Sequence, residues 1–536
     1  MPAVITDQIR VLNASNFVSG ISTTNNSYYV FIGLPNATEV ATDWNTNTPS
    51  PLDNFDQHDD IYDTLISAKK ITSNDVLRVV NKTSWASGTI YEMYRHDYSI
   101  NNLSPQTSST SLYSSNYYIM NSDYRVYTCI YNGAAPSNSG KGIVSLQEPT
   151  HTDLQPRLES DGYIWKYLYT IKPSEILKFD SANFMPVPTN WSGNTDVVDV
   201  RNAAVDGKIE VITIEDVTSA AYQFNGTKNN VPIRGDGDGG LASVTFLNGK
   251  PSAVQVTNGG SGYSFATLDL DAVVTGAGAS FSVIIPPPGG HGGDVYRELG
   301  SNKVLVYSRI ENADVTNQDF PTGNQFARIG ILKNPLENGS TNLLTASSVV
   351  NVPAIKVDGA AASSLIPSID GEITQTVGVG STAVGKIISY DSTTQVLRYW
   401  QDRSLAKDNS AGSKPTYGYS LNKFNNTPGS GGSTNLIVTT TSGTETLTID
   451  TGFVGVSTIV NSKTYYFGQS FTNGLAEPEI QKHSGDIIYI DNRPEVMRAS
   501  NQREDIKIVL EFWPNATKYQ SKCESILWWF WRIEEL

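Results

Sequence analysis

Hydrophobic positions along the chain fall in short runs bounded by turn residues, a pattern that favours strands over long helices. Ser27 to Ile32 predicts a buried strand, ended by Gly33-Leu34-Pro35. Tyr124 to Tyr131 alternates and predicts a half-buried strand. Asp161 to Ile171 is denser, apolar or aromatic on both faces, and predicts a strand central in its sheet. Asp59 to Lys70 carries Ile61, Leu65 and Ile66 on one face and predicts a helix. Asp59, Asp60 and Asp63 near its start and Lys69-Lys70 at its end complement the helix dipole. Pro173 to Lys178 predicts a helical turn or two, with proline at an early position.

The texture changes after about Asp206. Residues 207–320 are glycine-rich and alternating, with Val254 to Tyr263 and Ala272 to Ile285 as strand candidates and Asn258-Gly259 as a hairpin turn. Pro286 to Gly293 reads as a linker or an ordered loop. A second region of this kind spans 341–470. It contains Gly378 to Tyr390, a hairpin across Asp391-Ser392, and a polar stretch from Lys423 to Asn435 expected to be mobile. The two regions share no alignable period, so they are not a repeat. Phe326 to Leu332 and Ile487 to Ile490 return to the style of the first segment. The layout expected is one discontinuous β core (1–206, 321–340 and 471–512) interrupted by insertions at 207–320 and 341–470 and followed by an aromatic tail at 513–536. The fold class expected is mainly β: a multi-domain β-sandwich core with a few short helices and two glycine-rich β insertions.

Composition strengthens the β reading. Only 17% of the 536 residues are charged, while 44 Gly, 25 Pro and 27 Tyr supply turns and strands. The length suits about two to four domains. Thirty-eight basic against 53 acidic residues leave a net charge of −15. With no basic patch to offset it, that charge argues against nucleic-acid or anionic-membrane partners. Cys129 and Cys523 are too far apart in sequence to suggest a ligand pair or a disulfide framework. The N-terminal residues lack a secretory pattern, and the most apolar run, Ile526 to Trp531, is far short of a membrane span. A soluble protein made in a cytoplasm is expected.

Candidate chemistry is sparse. No nucleophile elbow, zinc-protease helix, phosphate-loop lysine or EF-hand pattern occurs. His58, His96, His151, His291 and His483 are scattered, no two at ligand spacing. The octet Asp53 to Asp60 has oxygen ligands suited to Ca²⁺, but a solvated loop charging the next helix is the stronger reading. Gly235 to Gly240, with its Gly-Asp-Gly-Asp order, suggests a calcium or phosphate turn, against which a tight hairpin weighs more. Glu148 and Asp161 are a nominal glycosidase pair without a supporting signature. No catalytic, cofactor or metal residue is therefore assigned. The tail holds Trp528, Trp529, Phe530 and Trp531 in succession, which cannot all face one side of the protein's own body. Trp528, Trp529 and Trp531 are the candidate partner contacts, with self-docking the competing reading.

Four stretches, taken in order, carry a resemblance: Ser160 to Ile171, Phe326 to Glu337 (ending Asn-Pro-Leu-Glu), His483 to Pro494, and Ile506 to Phe512. Together the chain resembles the dimeric baseplate wedge protein of T-even-like contractile-tailed phages, over about half its length. Weaker likeness spans Tyr28 to Trp85 and Tyr124 to Cys129. The intervals 172–325 and 338–482 are much longer than in the prototype, Ser160 replaces a glycine, and the tail after Phe512 has no counterpart. The enlarged intervals are similar in style to wedge proteins of marine cyanobacterial myoviruses. The resemblance implies a non-enzymatic homodimer with a β-sandwich body. It would join other wedge subunits in the virion's tail baseplate and share in the rearrangement that triggers sheath contraction. A tail-fibre adhesin that binds host glycan is the alternative, and a capsule depolymerase a weaker third.

Overall fold

Strands make up 43% of the protein and helices 12% in the computed structural model, so the chain is mainly β. It describes residues 6–23, 25–35, 44–188, 195–271, 273–311, 320–401, 422–499 and 503–512. These divide into two compact units. One is built from 6–18, 77–305 and 509–512, the other from 19–76, 306–499 and 503–508. Segments read together as one core from the sequence contribute to both.

In the first unit, Ile164–Thr170 lies between Arg125–Tyr131 and the two-residue strand Arg157–Leu158, with Tyr118–Met120 on the far side. Its interior position follows from apolar character on both faces: Trp165, Tyr167, Leu168 and Tyr169 are all buried. Arg125–Tyr131 departs from the half-buried expectation, since Val126 to Ile130 are buried without alternation. Neighbours cover both faces, and tyrosines that look amphipathic in sequence are taken inside. Their hydroxyls still need acceptors. Tyr127 donates to the His151 carbonyl at 2.7 Å, Tyr163 to that of Ile143 at 2.6 Å, and Tyr169 to that of Pro186 at 3.0 Å.

The glycine-rich segment of this unit forms a sheet from Gly226–Gly235, Leu241–Leu247, Lys250–Asn258 and Ala266–Leu268. Its two-residue hairpin turn is Asn248-Gly249, not Asn258-Gly259. Leu247 pairs with Lys250, and φ is 55° at Asn248 and 72° at Gly249. Both central residues are left-handed, the type I′ geometry that Asn-Gly favours. Asn258 instead ends a strand opposite Leu241.

The second unit holds a five-stranded antiparallel sheet in the order Ser348–Val350, Leu65–Lys70, Tyr28–Gly33, Gln325–Lys333, Asp486–Met497. Every residue of Tyr28–Gly33 is buried. The helix expected over Asp59 to Lys70 is corrected here: a helix spans Phe55–Thr64, and Leu65–Lys70 is a strand. Leu65 to Ala68 are buried, and the strand's backbone is bonded on both sides, with Phe31 opposite Ala68 and Ala68 opposite Val349. Two ladders outweigh the helical spacing of Ile61, Leu65 and Ile66. Consecutive residues of Asp486–Met497 face opposite ways, so Tyr489 is 6% exposed and Ile488 is 41% exposed.

Between Lys333 and Asp486, six antiparallel strands close into a barrel: Ala354–Asp358, Glu372–Gly378, Ser381–Asp391, Val396–Trp400, Asn435–Thr440 and Gly443–Ile449. Closure comes from the pairing of Ala354–Asp358 with both Val396–Trp400 and Gly443–Ile449, which removes free edges. Ile355, Ile373, Ile387, Leu397, Leu436 and Val438 fill the interior. The polar stretch expected to be mobile is partly pinned. Phe424 packs edge-on to Tyr399 at 4.7 Å, and Gln375 exchanges side-chain bonds with the backbone of Asn425 at 2.8 and 2.6 Å. Gly385 makes room for that pair, since a Cβ there would lie 2.8 Å from the Tyr399 ring.

The barrel gives a direct contrast. Leu397 is 0% exposed and Ile437, facing outward, is 51% exposed. Leu397→Ala is expected to destabilise by ~2–5 kcal/mol and Ile437→Ala by under ~1 kcal/mol, read by urea titration. Equal effects would mean that the barrel interior is not filled.

Candidate functional site

One β-arm of the second unit combines exposure with apolar side chains. Gly455–Val460 and Lys463–Phe471 pair only with each other among the described strands. Val460 opposes Lys463 across Asn461 (φ 52°) and Ser462 (φ 64°), a turn with both central residues left-handed. The base of the arm is anchored. Phe453, Phe467 and Phe471 form a triad with centroids 5.1 to 5.8 Å apart. Gln469 donates to the Val352 carbonyl at 2.8 Å. Apolar side chains are nevertheless exposed at both ends of the arm: Val454 and Val456, at the root opposite Phe471, are 66% and 51% exposed, and Ile459, beside the turn, is 72% exposed. A lone two-stranded ribbon is marginal in water, so an arm holding isoleucine and valine outward is suited to being covered.

Beneath the arm's base, Ala354 opposes Arg398 and Lys356 opposes Val396, which places both cations on the barrel's outer face. Both are buried, and neither forms an ion pair among the described residues. Arg398 donates to the Phe467 carbonyl at 3.1 Å, and Lys356 to Gln395 Oε1 at 3.1 Å. Burial pushes Arg398 down to about 10 and lowers Lys356 as well. Neutral acceptors hold the two cations in place of carboxylates, and Lys356 also lies over the Phe453 ring at 5.9 Å.

In the first unit, the segment Pro286 to Gly293 is an ordered loop fastened at His291. Its Nδ1 lies 2.8 Å from Glu298 Oε1, the Gly292 amide donates to Oε2 at 2.6 Å, and Tyr94 packs edge-on to the imidazole at 4.7 Å. Burial pushes the Glu298 carboxyl up, but His291 and the Gly292 amide outweigh it and hold the group below the ordinary range. A histidine–carboxylate pair is a general-base arrangement when it faces substrate. This one has side chains 6% and 0% exposed. A nearby cavity of about 490 Å³ is lined by other groups, among them Asp7, Arg10, Tyr113, Lys303 and Glu511. Its charges pair internally, Arg10 with Asp7 at 3.1 Å and Lys303 with Glu511 at 2.8 Å.

The candidates read from sequence are dispersed. In the acidic octet, Asn54 caps the helix by accepting from the Gln57 amide, Asp53 meets His58 Nε2 at 3.1 Å, and Asp59 meets His483 Nε2 at 2.9 Å. Gly235 to Gly240 joins two hairpin strands, and Asp236, which accepts from the Ser264 hydroxyl and the Ser264 and Phe265 amides, is held down to about 2. Glu148 accepts from the Ser122 amide. Burial raises the Asp161 carboxyl, but amides of Gln147, Tyr163 and Leu146 and the Ser145 hydroxyl hold it lower. Each carboxylate is thus the anchor of a loop. Among the described residues no group of three or more His, Cys, Asp or Glu is placed to hold a metal. Trp528, Trp529 and Trp531 lie outside the described residues.

A depressed carboxyl contributes stability above its unfolded pKa, and that contribution is lost as pH falls through the folded value. The 286–298 segment should therefore lose amide-exchange protection only below about pH 4.5 on account of Glu298. Glu298→Gln is expected to weaken the segment by ~3–5 kcal/mol at neutral pH and to remove that acid response. An unaltered response in the variant would assign the acid sensitivity to another group.

With this geometry in view, no protein-family model and no curated protein matches the chain.

Proposed function

We propose that the chain is a structural, non-enzymatic subunit of a contractile-tail baseplate wedge. It is assembled in the host cytoplasm and enters the virion as a homodimer that links neighbouring wedge proteins. The observation that carries this reading is where the family-like segments lie. Ser160 to Ile171, Phe326 to Glu337, His483 to Pro494 and Ile506 to Phe512 each contain a strand or most of one. Two of them, separated in sequence by the entire barrel, are register partners: Ile329 opposes Asp491 and Gly330 opposes Ile490. Segments that follow one family's order and also share one ladder support the resemblance better than isolated likeness does. All four read as framework, which suits a subunit whose work is to hold geometry.

In this reading the β-arm reaches a neighbouring wedge subunit. Lys463 is the only charged residue between 455 and 466, in a chain whose net charge is −15. The arm can therefore dock without carrying the chain's negative charge into the contact.

Native mass spectrometry of the full chain, with and without neighbouring wedge proteins, tests the proposal. A dimer that binds them and ignores host polysaccharide is the expected result. Val456→Ser with Ile459→Ser should weaken wedge binding at least ~10-fold, about 1.4 kcal/mol, without moving the melting temperature. A trimer that binds host glycan would instead identify a tail-fibre adhesin.

A further inference from the structure

We propose that residues 151–159 form an acid-released clasp, held closed on the first unit's aromatic sheet by neutral His151. The imidazole side chain is 2% exposed and lies against Tyr127, with ring centroids 5.3 Å apart. Its Nδ1 accepts from the Asp153 amide at 3.3 Å. An accepting Nδ1 puts the single ring proton of the neutral form on Nε2, which makes no close hydrogen bond among the described residues and has only a weak contact with the Trp165 backbone. The rest of the clasp is closed by the Lys166 ammonium donating to the Leu154 carbonyl, the Tyr127 hydroxyl donating to the His151 carbonyl, and two rungs between Arg157–Leu158 and Ile164–Thr170.

A second proton on this ring is poorly accommodated. It would sit on Nδ1, so that an N–H donor faces the N–H donor of Asp153 and their bond is lost. The carboxylates in view are at the edge of ion-pair range, Asp153 Oδ2 at 3.9 Å from Nδ1 and Glu159 Oε1 at 3.9 Å from Nε2. Asp153 is also engaged by Arg157 at 3.2 Å. From the facing strands come Lys166, a second buried cation, and the neutral Tyr127. Burial lowers the His151 pKa, with Arg157 and Lys166 adding to the effect against Asp153 and the Trp165 backbone. Burial also raises Glu159, so the carboxylate nearest Nε2 becomes a weaker partner for a protonated ring as pH falls. A base with a depressed folded pKa contributes closure that is complete above its unfolded value near 6.5 and is lost as pH falls below it.

The test is amide hydrogen exchange on the full chain between pH 7.5 and 5.5, corrected for intrinsic rates. Exchange across 151–159 is expected to accelerate, by up to about 10-fold, the largest response one linked proton gives over one pH unit. The strand Ile164–Thr170 should stay protected. His151→Asn keeps an acceptor for the Asp153 amide but cannot be protonated, so it should exchange equally at both pH values. A wild-type clasp equally protected at both values, or an Asn variant that still opens in acid, overturns the proposal. Should the variant fail to fold, NMR titration of His151 decides: opening must track its protonation, and a protonated ring in a closed clasp overturns it.

Discussion

The Phe31 ring lies across Gly330, and the main sheet of the second unit is organised around that contact. Phe31 and Gly330 are direct partners in the ladder, and Gly330 is in turn opposite Ile490. A Cβ on residue 330 would fall 2.2 Å from the Phe31 ring and 2.6 Å from the Tyr489 carbonyl, so only glycine fits. Shifting the pairing by one residue would move the ring off the glycine and turn buried side chains to the opposite face. The contact fixes the register between strands from near the start, the middle and near the end of the sequence. It thereby lets the chain from Ala354 to Ile449 develop as a closed barrel without disturbing the sheet from which it departs. The barrel can accept glycine-rich turns and outward isoleucines because its own ladder is complete.

The sequence revealed these features unevenly, and the reason differs from case to case. Runs apolar on both faces, such as Tyr28 to Ile32 and Trp165 to Ile171, were legible because their burial requires no knowledge of a partner. The strand Leu65–Lys70 was not, because its identity depends on ladders with Tyr28–Gly33 and Ser348–Val350, whose pairing no local pattern encodes. Asn248-Gly249 and Asn258-Gly259 carry the same turn signal. Only the partner strands decide which one makes the hairpin. The Asp391 turn was legible because its mechanism is local: the carboxylate accepts from the Thr393 amide and the Thr394 hydroxyl. The His291–Glu298 contact and the buried Arg398 gave no advance signal. A histidine in a glycine loop and an arginine in an alternating strand look like surface residues until neighbours enclose them.

Buried charge is handled in three different ways, and each has a structural consequence. Arg498 and Glu504 form a pair with side chains 0% and 1% exposed, and Arg498 also donates to the carbonyls of Phe320 and Pro321 at 2.9 Å each. Glu298 is met by a histidine and an amide from the loop it fastens. Among the described residues Arg398 and Lys356 have only neutral acceptors. Buried pairs contribute little net stability over apolar packing, but removing one partner is strongly unfavourable. Such groups therefore restrict which arrangement of loops the chain can adopt more than they deepen its stability. In the wedge reading proposed above, a subunit that presents one geometry to its neighbours would gain from that restriction.

The arm and the cations beneath its base follow from the same logic. A ribbon bonded to nothing along either edge would fray if it were not pinned at one end. The Phe453–Phe467–Phe471 triad and the Arg398 bond to the Phe467 carbonyl supply that pin. Among the described residues no carboxylate pairs with Arg398 and its acceptor is the arm's own backbone, so release of the base would leave a buried guanidinium without that partner. The base is thereby held more firmly than ribbon packing alone allows, while the turn end stays exposed. Pinned at the root and carrying exposed Val454, Val456 and Ile459, the arm would, in the wedge reading proposed above, give a neighbour a surface that needs little ordering on contact, so that association is not offset by lost conformational freedom.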